Sequence, residues 1–147
     1  MKQALIELYG RDILKLRDEI SAYKDEKAVW VTEGEISNSA GNLCLHLIGN
    51  LNHFIGAQLG NSGYVRKREE EFTLKNIPLQ ELLAGIDKTK EIVLNTLEAM
   101  DEKAFELDFP EKRNGVTHRT DFMLLHLLAH LNYHLGQVNY HRRLLDK

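Results

Sequence analysis

Three histidines spaced four residues apart, His126, His130 and His134, lie in the leucine-rich run Asp121–Gln137 and limit what this chain can fold into. An α-helix turns about 100° per residue, so four steps overshoot one turn by only ~40°. The three imidazoles therefore climb one side of a helix, and the flanking leucines turn that side inward. Buried imidazole nitrogens need partners. A divalent metal satisfies them, since neutral imidazole is a common ligand for zinc, nickel and iron. The first and third histidines stand ~12 Å apart along the axis, so only two of them reach one ion. The later pair, His130 and His134, is the better candidate. The same i, i+4 pair occurs in metalloprotease helices, but there a glutamate follows the first histidine; here Leu131 takes that place and excludes the protease reading.

A second helix supplies a third ligand. Ser37-Asn38-Ser39 offers N-caps for a helix reaching about Leu59, apolar on most of its circumference and therefore central. Asn42, His46 and Asn50 draw a polar stripe through it at i, i+4 and i+8. His46 is the natural partner of His130 and His134. Asn42 and Asn50 then support the ligands or line a pocket, as do His126, Tyr133 and Gln137. Cys44 points to another face and reads as a small buried hydrophobe. His53 and His141 fall at bundle ends or in contact with a partner, and His118 in a solvated loop.

Two more helices complete the reading. Leu5, Leu8, Leu16, Ile20 and Tyr23 mark an amphipathic helix over ~2–24, and Pro78 opens another that runs through Leu82, Ile86, Val93 and Leu97 to Met100. Thr120 or Asp121 starts the histidine helix, which runs to about Leu145. Trp30, the one tryptophan, lies in the first connection and caps an end of the bundle or walls a pocket. Arg66-Lys67-Arg68 followed by Glu69-Glu70-Glu71 reads as a solvated loop. Phe105, Leu107 and Phe109 alternate before Asn114-Gly115, the pattern of a short hairpin-like excursion. Four helices with two long connections make an all-α, four-helix bundle with a crossover, a single domain over residues 1–147.

Composition narrows the function. A net charge of -3 supplies no positive field for nucleic acid. One cysteine allows no intrachain disulfide and fits a reducing compartment. The N-terminal stretch interleaves charges with apolar residues and does not read as a targeting signal. No apolar run approaches the ~18 residues that span a bilayer, so a cytoplasmic location without a membrane partner is expected.

The runs Asn42-Leu-Cys-Leu-His46-Leu-Ile-Gly-Asn50 and His126-Leu-Leu-Ala-His130-Leu-Asn-Tyr-His134-Leu-Gly136-Gln137 together resemble the DinB-like superfamily of metal-dependent enzymes, closest to a branch of uncharacterised bacterial proteins. The resemblance implies a bundle in up-down-down-up order and a three-histidine site for nickel, zinc or iron. It also implies a homodimer, since dimers are common in the family. Some members are thiol-dependent transferases or isomerases using bacillithiol, mycothiol or glutathione. Leu135 stands where arginine often follows the last histidine, a departure that bears on the substrate more than on metal binding.

Three neutral ligands leave an ion its full charge and open positions, able to acidify a bound water or thiol. A thiol-dependent S-transferase is therefore expected, with metal-assisted hydrolysis a close variant. The alternatives are a non-catalytic metal or small-ligand binding bundle, and a structural bundle whose histidines pair with asparagines. Glu33, Glu35 and Asp121 are the acidic groups available as a base if the fold brings them to the pocket.

Overall fold

The computed structural model describes residues 1–147 and is all-helical. Four long helices, α1 (Lys2–Ser21), α2 (Ala40–Leu51), α4 (Leu79–Ala99) and α5 (Thr120–Leu145), surround one core; α3 (Arg68–Thr73) is a single short helix. Two isolated β-bridges are the only extended pairing. No helix is long and apolar enough to cross a membrane.

Each long helix buries the stripe that its periodicity marks. Leu5, Tyr9, Ile13, Leu16 and Ile20 of α1 meet Leu47 and Leu51 of α2, Leu82, Ile86 and Val93 of α4, and Leu124, Leu127 and Leu131 of α5 in one cluster. Burying such a side chain contributes about 1.5–3 kcal/mol. Ser39 caps α2 by accepting the Asn42 N–H, and Pro78 precedes α4. After Leu51 the α2 backbone widens into π-helical turns over Asn52–Ala57, so the regular helix ends earlier than the expected Leu59.

Cross-helix bonds fix the relative directions of the helices. Asn132 donates to Asp12, Asn139 and Arg142 donate to Glu19, and Asp146 accepts the N–H groups of Lys24 and Asp25; α1 and α5 therefore run parallel. Lys2 reaches the carbonyls of Glu98 and Met100 while Arg17 pairs with Asp87, so α1 and α4 run antiparallel. Asn52 donates to Thr89, and Ile48 and Gly60 lie beside Gly85 and Thr96; α2 and α4 run parallel.

The connections differ in part from the sequence reading. The excursion before α5 is hairpin-like, with Phe109 and His118 paired and a tight turn at Asn114-Gly115, both at positive φ. Trp30 is half-buried against the core and lies on α2 at Gly41. In the segment 66–71, Lys67 through Glu70 are exposed as expected, but the backbone turns helical from Arg68, and Glu71 is buried with Arg66 against it. The segment folds into α3 against α2, because Glu71 finds partners there that water would otherwise supply.

Candidate metal centre

His46 on α2 and His130 and His134 on α5 meet at one point, their ligand atoms all within 4.8 Å of one another. His130 Nε2 lies 3.1 Å from both His46 Nε2 and His134 Nε2. Three imidazole nitrogens held ~2.1 Å from one tetrahedral ion sit about 3.4 Å apart, so the spacing suits a metal.

The outer ring atoms show which nitrogen is free to ligate. His46 Nδ1 donates to Glu71 Oε1 at 3.0 Å, and His134 Nδ1 donates to Gln137 Oε1 at 2.7 Å. Each bond places the proton on Nδ1 and leaves Nε2 as a bare lone pair aimed at His130. A proton on His130 Nε2 satisfies one of these lone pairs but not both. A divalent cation satisfies all three nitrogens. His130 Nδ1 is buried without a partner, which marks this ring as incompletely satisfied by protein groups alone.

Glu71 is the residue that sequence reading missed. Its carboxylate takes Arg66 in a two-pronged pair, Nε to Oε2 and Nη2 to Oε1, both 2.9 Å, while holding His46. Burial opposes its ionisation, but His46 and Arg66 outweigh burial and hold the carboxyl below the usual range. The carboxylate fits against α2 only because residue 49 has no side chain: a Cβ on Gly49 would stand 1.9 Å from Glu71 Oε2. Gly49 lies three residues after His46, on the same side of the helix. That gap beside a candidate ligand was the one available sequence signal.

Asn42 does not line a pocket. It is fully buried and ties down the strap that carries Glu71, donating to the carbonyls of Glu71 and Leu74 at 2.9 Å and accepting from Ser39 and Lys75. Asn50 is buried one turn beyond His46 with Oδ1 unpartnered. His126 stays outside the cluster, half-buried and stacked on Phe122. His141 lies near the end of α5 and is buried there: Nε2 donates to the Val31 carbonyl and Nδ1 accepts from the Tyr23 hydroxyl. His53 reaches Glu111 at 2.7 Å, and His118 stacks on Phe122 rather than lying free in solvent. Burial pushes the Cys44 thiol up to about 12, which keeps it inert.

A cleft of about 530 Å³ opens beside the cluster, lined by His134, Tyr133, Gln137, Tyr140, Leu43 and Glu35 among others. Of the three acidic candidates, only Glu35 lines it. Asp121 is paired with Arg119 at the start of α5, and Glu33 is exposed elsewhere.

Burial, with the neighbouring imidazoles His134 and His46 adding to it, pushes His130 down to about 4; burial lowers His134 as well. Both rings are therefore neutral near pH 7 and present lone pairs. In the metal-free protein the folded state binds the His130 proton more weakly than the unfolded chain, whose histidine titrates near ~6.5. Stability from this group is complete above ~6.5 and falls as pH drops toward 4. Urea unfolding of metal-free protein between pH 7 and 4 is expected to show this limb. His130→Ala is expected to flatten it in part, since burial also lowers His134 and His126, which contribute to the rest.

A comparison with curated proteins gives no match. A family model described as "Protein of unknown function (DUF1572)" matches residues 9–147. Because that match takes in α2, α5 and the whole histidine cluster, the chain belongs to the DUF1572 family.

Proposed function

We propose that this protein is a metal-dependent enzyme of the DinB-like type, a thiol-dependent S-transferase, with metal-assisted hydrolysis as the close variant. The observation that carries the reading is the convergence of three Nε2 lone pairs from His46, His130 and His134 beside an open cleft. The pairing directions of the long helices support a four-helix bundle in up-down-down-up order: α1 parallel to α5, antiparallel to α4, and α2 parallel to α4.

A bound zinc, nickel or iron ion would supply Lewis acidity and lower the pKa of a thiol or water ligated to it. The rest falls to the chain. Glu71 and Gln137 hold two imidazoles in the tautomer that ligates. Tyr133, Tyr140 and Leu43 give the cleft an apolar wall for the body of a substrate. Glu35, the one acid lining the cleft, is the chain's candidate to take a proton from an incoming thiol.

No lysine or arginine lines the cleft, so a carboxylate or phosphate entering it would find no counter-charge and would face Glu35. The substrate class that fits has a neutral or cationic end at the cleft and an apolar body. Titrating cobalt-loaded protein with cysteamine and with mercaptoacetate tests this directly. A thiolate-to-metal absorption band is expected at lower concentration for cysteamine. Absence of a band with either thiol in metal-loaded protein would remove the thiol reading.

A further inference from the structure

Two buried side-chain polar atoms in the protein have no hydrogen-bond partner, Asn50 Oδ1 and His130 Nδ1. Buried polar groups are rarely left so, because the cost of leaving water is returned only by a partner. The other buried asparagines of this part of the chain obey the rule. Asn42 donates to the carbonyls of Glu71 and Leu74, and Asn52 to the Ile48 carbonyl and the Thr89 hydroxyl. Asn50 is only 7% exposed, and its Oδ1 is closed off from solvent.

The fold puts both orphans on one side of the histidine trio. α2 and α5 run in opposite directions. Leu43, early in α2, shares the cleft with His134, Gln137 and Tyr140, whereas His53 and Phe54, just beyond Asn50, meet Glu111 and Phe109 of the segment that leads into α5. Asn50 follows His46 by one turn, toward the start of α5. His130 precedes His134 by one turn in the same direction, and helical side chains lean toward the N-terminus of their own helix, which tips the His130 ring that way too. The cleft opens on the other side, at His134, and neither Asn50 nor His130 lines it. The partner of Asn50 is therefore to be sought inside the protein rather than in a substrate.

The two atoms are chemically complementary. When His130 Nε2 gives its lone pair to an ion, the ring proton sits on Nδ1 and makes it a donor without an acceptor; Asn50 Oδ1 is an acceptor without a donor. His46 and His134 already hand their Nδ1 protons to Glu71 and Gln137. We propose that Asn50 does the same for His130. In the metal-loaded protein its Oδ1 takes the His130 Nδ1–H, directly or through one enclosed water, and Asn50 is the positioning residue of the third ligand. The role rests on the metal reading above and decides between the two tasks that spacing alone left open to Asn50, supporting a ligand or lining a pocket. An amide suits it. With no ion bound, a proton on His130 Nε2 turns Nδ1 into an acceptor, and a half-turn of the Asn50 amide presents an N–H to it. An ionised carboxylate, which only accepts, would serve the first state alone.

The test is zinc titration and thermal unfolding of the full chain with Asn50→Leu, which keeps the size of the side chain, and Asn50→Asp, which keeps an acceptor. Asn50→Leu is expected to bind zinc about tenfold more weakly than wild type or worse. Its metal-free form is expected to melt at the same temperature or higher, because an apolar side chain replaces an unpartnered amide. Asn50→Asp is expected to bind zinc at least as tightly as wild type. In zinc-loaded wild type with isotope-labelled histidine, each of the three ligands is expected to show a slowly exchanging Nδ1–H signal by nuclear magnetic resonance. Asn50→Leu is expected to lose or shift one of them while the other two stay. Wild-type zinc affinity and three unchanged signals in Asn50→Leu would overturn the proposal. So would an Asn50→Asp as weak as Asn50→Leu, since the acceptor would then not matter. A wild type that takes up no zinc, nickel or iron would overturn the metal reading, and this role with it.

Discussion

His130→Ala is expected to abolish tight divalent-metal binding while leaving the metal-free fold almost as stable as before. His130 Nε2 is the one ligand atom within 3.1 Å of both others, so its removal leaves two nitrogens with no third donor between them. The cost to folding is small for the same reason that the gain in binding is large. The ring is partly exposed, its Nδ1 has no partner, and burial already disfavours its charged form. Ligand that binds only the native state stabilises it by about 4 kcal/mol at a thousandfold excess over Kd. Wild type is therefore expected to melt higher with added zinc or nickel, and His130→Ala to show no such shift. Metal analysis of untagged protein gives the second readout: near-stoichiometric metal in wild type and none in the variant. A wild type that neither carries nor takes up zinc, nickel or iron would leave a histidine-rich structural bundle.

The long helices α1 and α4 were legible because each repeats its apolar residues at close to 3.6, and α2 and α5 because polar residues recur every four positions through apolar runs. The histidine trio was legible because two polar stripes on two apolar helices have few ways to be satisfied except by facing each other. The strap at 66–75 was not legible. Opposite charges in adjacent positions look solvated in one dimension, and only the tertiary fold shows that Arg66 and Glu71 pair with each other and with His46. The partners of His141 were hidden for a related reason. It lies near the end of α5 as expected, but only the parallel run of α1 shows that Tyr23 lies alongside it. In both cases the missing information is a partner distant in sequence. Local periodicity carries no record of that partner, although Gly49 leaves the space that Glu71 fills.

Glu71→Gln is expected to weaken metal binding by about 10–100-fold, the usual cost of losing a carboxylate that orients a ligating histidine. The variant keeps the shape of the side chain and one acceptor oxygen for His46 Nδ1, so the loss reports charge rather than volume. An anionic partner makes the imidazole a stronger donor to the ion and fixes its Nδ1 proton; a neutral amide does the second less firmly and the first hardly at all. Arg66 then lies nearly buried, 12% exposed, without its counter-charge. Breaking a buried ion pair from one side costs about 3–5 kcal/mol when no other partner is found. Arg66→Met with Glu71→Gln removes that burden and is expected to recover most of the stability but not the metal affinity. Gly49→Ala approaches the same site by a different route, since its methyl group must displace Glu71 Oε2. It is expected to reduce metal affinity to a similar degree. Isothermal titration and urea unfolding on the four proteins separate the two roles. Equal metal affinity across wild type, Glu71→Gln and Gly49→Ala would mean that Glu71 holds α3 in place and does not act through His46.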